Sequence, residues 1–168
     1  MNLQSLEDVY THELKDIYSA EKQIIEALPK MAEAASTTEL QDAFETHLKQ
    51  SEKHLSLVSG ILDEMGINPG NTKCEGVAGL LKEGESVIST SGQGVAKDAA
   101  LIGAAQRVEH YEMAAYGTAR TFARILGYDS AADTLQEILN QEGETDRLLT
   151  DLAEGGLLTE GINEKAMQ

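Results

Sequence analysis

The sequence predicts an all-α protein, an antiparallel four-helix bundle with an additional short helix in its crossover. Three observations predict it. Pro is almost absent, at 2 of 168 residues, while Ala, Leu, Glu, Lys and Gln dominate, a composition that favours helix throughout. Apolar residues recur at alternating spacings of three and four over long runs, the period of a helix that buries one face. Two of the links between those runs are short, which forces the helices they join to be antiparallel neighbours.

The elements follow in order. The first helix is predicted from about Ser5 to Ala35, opened by a capping box of Ser5 and Asp8, with Pro29 late enough to kink or distort it. The second runs from near Thr38, where Thr38 and Gln41 suit a capping box, to about Met65, closed by Gly66 and Pro69-Gly70. A short helix spans about Cys74 to Ser89, and the stretch from Ser89 to Gly94 breaks the pattern. The fourth runs from about Val95 to Leu126 and stops at Gly127. Asp129 or Ser130 caps the fifth, which reaches about Glu154. The chain reads as a single domain over residues 1–168, with residues from about 155 to 168 a loosely held tail after Gly155-Gly156. Hairpin, long crossover, hairpin is the ferritin-like arrangement of a four-helix bundle.

Charge narrows the partners. Lys and Arg total 13 against 29 Asp and Glu, a formal net charge of −16. Such a surface repels nucleic acid and anionic membranes, so neither is expected as a partner. No stretch approaches the ~20 apolar residues of a membrane span, and no basic-then-apolar leader opens the chain. The single cysteine, Cys74, fits a reducing compartment, and the expected location is cytoplasmic.

The apolar stripes are interrupted. On the second helix Leu40, Phe44, His47, Ser51, His54, Val58, Ile61 and Met65 are spaced 4-3-4-3-4-3-4, apolar at both ends and polar in the middle, with Gln50 beside them. The first helix carries Leu6, Tyr10, Ile17, Ile24, Leu28 and Met31, with Glu13 and Glu21 on the stripe. The fourth reads Ile102, Ala105, Glu109, Glu112, Tyr116 and Ala119. The fifth reads Leu135, Ile138, Glu142, Thr145, Leu149 and Leu152, with Asp146 adjoining. Glu21 lies 15 residues before Ser36 and Ser51 lies 15 after it; Glu112 and Glu142 stand likewise about Gly127. At about 1.5 Å per residue, both hairpins carry their polar groups roughly 22 Å from their turns. The two levels coincide if the hairpins pack antiparallel.

Several ionised carboxylates at one buried level cost several kcal/mol each to desolvate, and they repel one another. The stripes place no Lys or Arg there to compensate. A pair of divalent cations would neutralise about four carboxylates and accept His as further ligands, and mixed oxygen and nitrogen ligation suits Fe, Mn or Zn better than Ca or Mg. Glu109 and Glu112, three apart, share a face in an otherwise Ala-rich stripe, and Glu142 joins them from the next helix. Other polar residues have plainer readings. Glu13 reads as a stripe-edge residue, Asp16 and Glu52 as part of the solvated face, and His12 and His110 as facing solvent or a partner chain. Tyr10, Tyr18 and Tyr116 read as core residues that need a hydrogen-bond partner. A tyrosine beside a metal can instead be an outer partner or a redox-active group. Cys74 heads a helix, which can lower a thiol pKa, but reads first as a capping residue.

Four segments resemble the YciF/YciE family of bacterial stress-response proteins, a branch of the ferritin-like superfamily. They are Asp16 to Gln23 (DIYSAEKQ), Lys73 to Gly76 (KCEG), Asp98 to Glu112 (DAALIGAAQRVEHYE), and Ala115 to Thr118 (AYGT) with Glu142 beyond. The resemblance covers nearly the whole chain. It implies a ferritin-like bundle, a homodimer and a dinuclear metal site, with iron and oxygen or peroxide chemistry suggested by the superfamily. The ligand pattern matches at Glu21, Glu109, Glu112 and Glu142, with His47 and His54 completing coordination. Tyr18, Tyr116, Thr145 and Asp146 are candidate outer partners. The superfamily's Glu-x-x-His occurs nowhere; the second helix offers His47-x-x-Gln50, with Gln50 where the family usually carries Glu. The expected cofactor is two metal ions, iron first, with Mn or Zn as alternatives. Two readings of function follow: a metal-dependent redox protein, or a non-enzymatic dimeric stress protein whose metal is structural or whose site is degenerate. Iron storage in a ferritin-like shell is a weaker third.

Overall fold

The computed structural model describes residues 3–92, 94–156 and 159–167; Gln93, in the predicted break, and residues 157, 158 and 168, in the predicted tail, lie outside the described residues. Five helices make the body: α1 (Leu6–Ala34), α2 (Thr38–Glu64), α3 (Glu75–Ser89), α4 (Val95–Leu126) and α5 (Asp129–Glu154). α1 pairs with α2, α4 pairs with α5, and the hairpins join through α1 against α4 and α2 against α5, while α3 lies across α1 and α4. This is the predicted ferritin-like four-helix bundle with its extra crossover helix. No described helix is long and apolar enough to cross a membrane.

Local chemistry sets the ends. The Ser5–Asp8 capping box forms: the Ser5 hydroxyl accepts from Asp8 N–H at 3.2 Å and the Asp8 carboxylate from Ser5 N–H at 3.0 Å. Pro29 lies inside α1 without ending it; its ring leaves the Ile25 carbonyl without the usual helical N–H. The expected Thr38–Gln41 capping box is replaced by a long-range cap. Thr37 stands at the N-cap without a side-chain bond, and the Asp98 carboxylate, from α4, accepts from Ser36 N–H at 2.8 Å, Ser36 Oγ at 2.9 Å and Thr37 N–H at 2.9 Å. Gln41 instead donates to the Ala35 carbonyl at 2.8 Å. Gly127, at φ +82°, ends α4 in the left-handed conformation that costs glycine little.

The segment read as a loosely held tail carries structure. Gly155–Gly156 pairs antiparallel with Thr159–Glu160, and α6 (Ile162–Lys165) follows. Ile162 is buried, in the cluster that also holds Leu101 of α4 and Leu149 and Ala153 of α5, the helices α6 packs against. A single apolar side chain that finds the open end of the bundle docks this end, a contact that local composition does not register.

The core is divided. One apolar cluster holds Ile24, Leu28, Met31, Leu40, Phe44, Leu101 and Ile102. The other holds Leu14, Ile17, Val58, Leu62, Tyr116, Leu135 and Ile138. Glu21, His47, Ser51, His54, Glu109, Glu112, Glu142 and Thr145 are buried at the level between them, while Glu13, at the stripe's edge, is half-buried.

Candidate metal centre

α1 contributes Glu21, α2 contributes His47, Ser51 and His54, α4 contributes Glu109 and Glu112, and α5 contributes Glu142, none more than 3 % exposed. Ligating atoms of His47, Glu109, Glu112 and Glu142 lie within 4.8 Å of one another, and so do those of Glu21, His54 and Glu142. Glu142 belongs to both groups. His47 Nε2 is 3.2 Å from Glu109 Oε1 and 3.9 Å from Glu112 Oε2, and its Nδ1 is 4.0 Å from Glu142 Oε2. His54 Nδ1 is 2.9 Å from Glu142 Oε1 and 3.5 Å from Glu21 Oε1.

The angles at these approaches are poor for hydrogen bonds, although His54 Nδ1 stands within hydrogen-bond distance of Glu142 Oε1. Both nitrogens of His47, His54 Nδ1, both oxygens of Glu112 and Glu142, and one oxygen each of Glu21 and Glu109 are buried without a hydrogen-bond partner. Orphaned buried polar atoms are rare because each costs on the order of 1–3 kcal/mol, more when charged. Here they converge, as ligands do around a cation. The residues present therefore fit a pair of cations held by oxygen and nitrogen donors.

Electrostatics agree. Burial pushes Glu112 and Glu109 well above the usual carboxylate range, and the nearby Glu142 adds to it. Burial raises Glu21 as well, against the opposing pull of His54. Burial holds His47 below its ordinary value. For His54 burial also acts downward, but the Glu142 and Glu21 carboxylates outweigh it and raise the imidazole to about 10. Without a cation the cluster balances its charge with protons; with one, those protons are displaced.

The surroundings orient the donors. His54 Nε2 lies 2.8 Å from the Gln141 side-chain oxygen, so that nitrogen carries the proton in the neutral ring and Nδ1 turns its lone pair toward Glu21 and Glu142. The Tyr116 hydroxyl donates to Glu21 Oε1, and its ring stands edge-on to His54. Thr145 Oγ1 donates to the Gln141 carbonyl at 3.1 Å and approaches Gln50 Oε1 at 3.5 Å.

Of the expected ligands, Glu21, His47, His54, Glu109, Glu112 and Glu142 come together, and the Gln50 side chain stands against His47 and Thr145 at the edge of the cluster. Gln50 is half-buried on the shoulder of the α2 stripe. Of the outer candidates, Tyr116 touches a donor and Thr145 reaches Gln50. Asp146 instead meets His110 at 3.3 Å and Gln106 at 3.2 Å, and Tyr18 packs with Lys22. Asp16, read as solvated, accepts from the Tyr111 hydroxyl at 2.9 Å. Sequence reasoning missed Gln141, whose signal was its position beside Glu142 on a helix facing α2.

Residues 5–167 match the family described as Domain of unknown function (DUF892). Protein YciF of Escherichia coli (strain K12) is 42 % identical over 167 residues, 99 % of this chain and 98 % of that protein. The crystal structure of the E. coli stress protein YciF superposes with a TM-score of 0.86 at 43 % identity, covering 89 % of this chain and 95 % of that one. YcfI from Rhodopseudomonas palustris gives a TM-score of 0.85 at 36 % identity, covering 90 % and 97 %. A Xanthomonas campestris protein, at TM-score 0.69 and 21 % identity over 88 % and 89 %, shares the fold. With a family match from end to end and this identity to YciF, the chain belongs to the YciF family of ferritin-like helical proteins, DUF892.

Proposed function

We propose that this protein is a bacterial stress-response protein that binds two metal ions of the iron type in the core of its bundle and acts in iron oxidation or in peroxide or oxygen chemistry. One observation carries the reading: two buried donor groups, joined through Glu142, leave most of their ligating atoms without hydrogen-bond partners. Glu109, Glu112 and His47 hold one ion and Glu21 and His54 the other, with Glu142 common to both. Bound iron supplies one-electron steps to a small oxidant. The chain's own residues set the conditions. Gln141 fixes the His54 tautomer, Tyr116 orients Glu21, and the two apolar clusters exclude bulk water. Mn or Zn fits the same donors. The working unit is a cytoplasmic homodimer, supported by the family resemblance and the lone buried cysteine; sedimentation of the purified chain reads the oligomeric state.

Anaerobic titration with Fe(II), followed by exposure to oxygen, tests the chemistry. We expect saturable uptake, and oxidation faster than in the Glu109→Ala/Glu142→Ala variant. Equal rates sink the redox reading. A second reading is favoured by α2, which places no carboxylate in either group: a non-enzymatic stress protein with a structural or degenerate metal site. It predicts that chelation changes the melting temperature, or nothing, while iron, oxygen and peroxide give no turnover.

A further inference from the structure

We propose that Ser51 marks the seat of a small anionic ligand beside the paired cation positions, and that its hydroxyl donates a hydrogen bond to that ligand. The inference rests on the cation reading above and goes beyond it, because it concerns what the cations hold.

Ser51 is fully buried on α2, four residues after His47 and three before His54, and so lies about one turn from each histidine on the same stripe. Its Oγ has no hydrogen-bond partner. A helical hydroxyl ordinarily bonds back to the carbonyl four residues before it. Others in this chain do: Thr121 to Gly117 at 2.9 Å, Thr145 to Gln141 at 3.1 Å and Thr150 to Asp146 at 3.1 Å. Ser51 forgoes that bond although it is fully buried.

The chemistry of the unpartnered atoms sharpens the point. Those of Glu21, Glu109, Glu112 and Glu142 are carboxylate oxygens, and those of His47 and His54 are imidazole nitrogens. Cations satisfy lone pairs. They do not satisfy an O–H, which needs an acceptor. The group of Glu21, His54 and Glu142 offers three donors, which leaves an open position even on a four-coordinate ion. An anion there would complete the ion's coordination and accept from Ser51. It must be small, because this layer is closed above and below by packed apolar side chains.

The test uses Co(II), whose visible spectrum reports its ligands, and azide as the anion. Wild-type protein loaded with Co(II) is titrated with sodium azide, beside Ser51→Ala and the near-isosteric Ser51→Cys, a much weaker donor. We expect azide to bind the variants at least about tenfold more weakly, the loss of one hydrogen bond to a charged acceptor. Co(II) affinity is measured separately for each variant, and azide is titrated at saturating Co(II), so that any weakening of the metal itself is separated from loss of the anion. Unchanged azide affinity in a folded variant overturns the proposal, as does a wild type whose Co(II) spectrum ignores azide. Failure of the wild type to take up Co(II) at all overturns the cation reading, and this proposal with it.

Discussion

Glu142 differs in kind from its neighbours because both donor groups use it. Replacing it with Ala is expected to abolish Co(II) or Zn(II) uptake at both positions, whereas Glu21→Ala should leave one ion per chain; metal analysis after gel filtration separates the two outcomes. The groups around it set the pH behaviour of the metal-free protein. Glu21, Glu109 and Glu112 have folded-state pKa values above their unfolded ones, so the stability they contribute is present below about pH 4.3 and is lost as pH rises through the folded values. His54, raised to about 10, behaves alike: its contribution is complete below about pH 6.5 and declines toward pH 10. His47 runs the other way, being depressed, and contributes only once pH exceeds its folded value. His54 sets the expected trend, because its interval from about 6.5 to about 10 spans the neutral-to-alkaline range. The urea midpoint of the metal-free protein should therefore fall between pH 6 and pH 9. That of the loaded protein should hold or rise over the same range, because cations require deprotonated ligands. A metal-free midpoint that climbs with pH contradicts the assignment.

Among the elements, α3 shows how a crossover helix is fastened. Cys74 caps it: its N–H donates to Ser19 Oγ at 2.9 Å, its carbonyl accepts from Gln23 at 3.1 Å, and its sulfur lies 3.1 Å from the Tyr111 hydroxyl. Burial pushes the thiol above its ordinary pKa, which opposes the lowering expected at a helix N-terminus and leaves a capping residue rather than a reactive one. Next to it, a Cβ on Gly76 would stand 2.6 Å from a ring carbon of Tyr111. Gly76→Ala must displace that ring from its bonds to Asp16 and Cys74, and should destabilise the fold by about 1–3 kcal/mol in urea denaturation. The helices themselves were legible from the sequence because their stripes, capping box and closing glycines are local signals. The level of the cluster was legible too, since the rise per residue is fixed and the hairpin turns are short. What escaped was long-range. Asp98 caps the α1–α2 corner from a helix 62 residues away, and nothing at Thr38 or Gln41 announces it. Gln141 earns its place through a histidine 87 residues distant.

For the molecule as a whole, cations held by these groups would tie the two hairpins together, because each donor group draws on helices from both. A ligand present at about a thousand times its Kd adds about 4 kcal/mol to stability. Chelation of loaded protein should then lower the melting temperature by roughly 8–16 °C for a chain of this size, read by calorimetry before and after EDTA. The formal charge of −16 adds a field that concentrates cations around the protein, so uptake rates should fall with rising salt.

The division of the core has a consequence for how the protein breathes. One cluster gathers around the α1–α2 turn, with Ala35 and Leu40, and the other around the α4–α5 turn, with Ala123 and Ala132. Between them lies the layer of buried polar side chains, spanned at its edge by Tyr111, which packs against both clusters. Stripped of cations, such a molecule has a parting plane, and each end can open without the other as a separate foldon. Loaded, it carries a rivet through that plane, and amide exchange at the two ends should merge into one cooperative event.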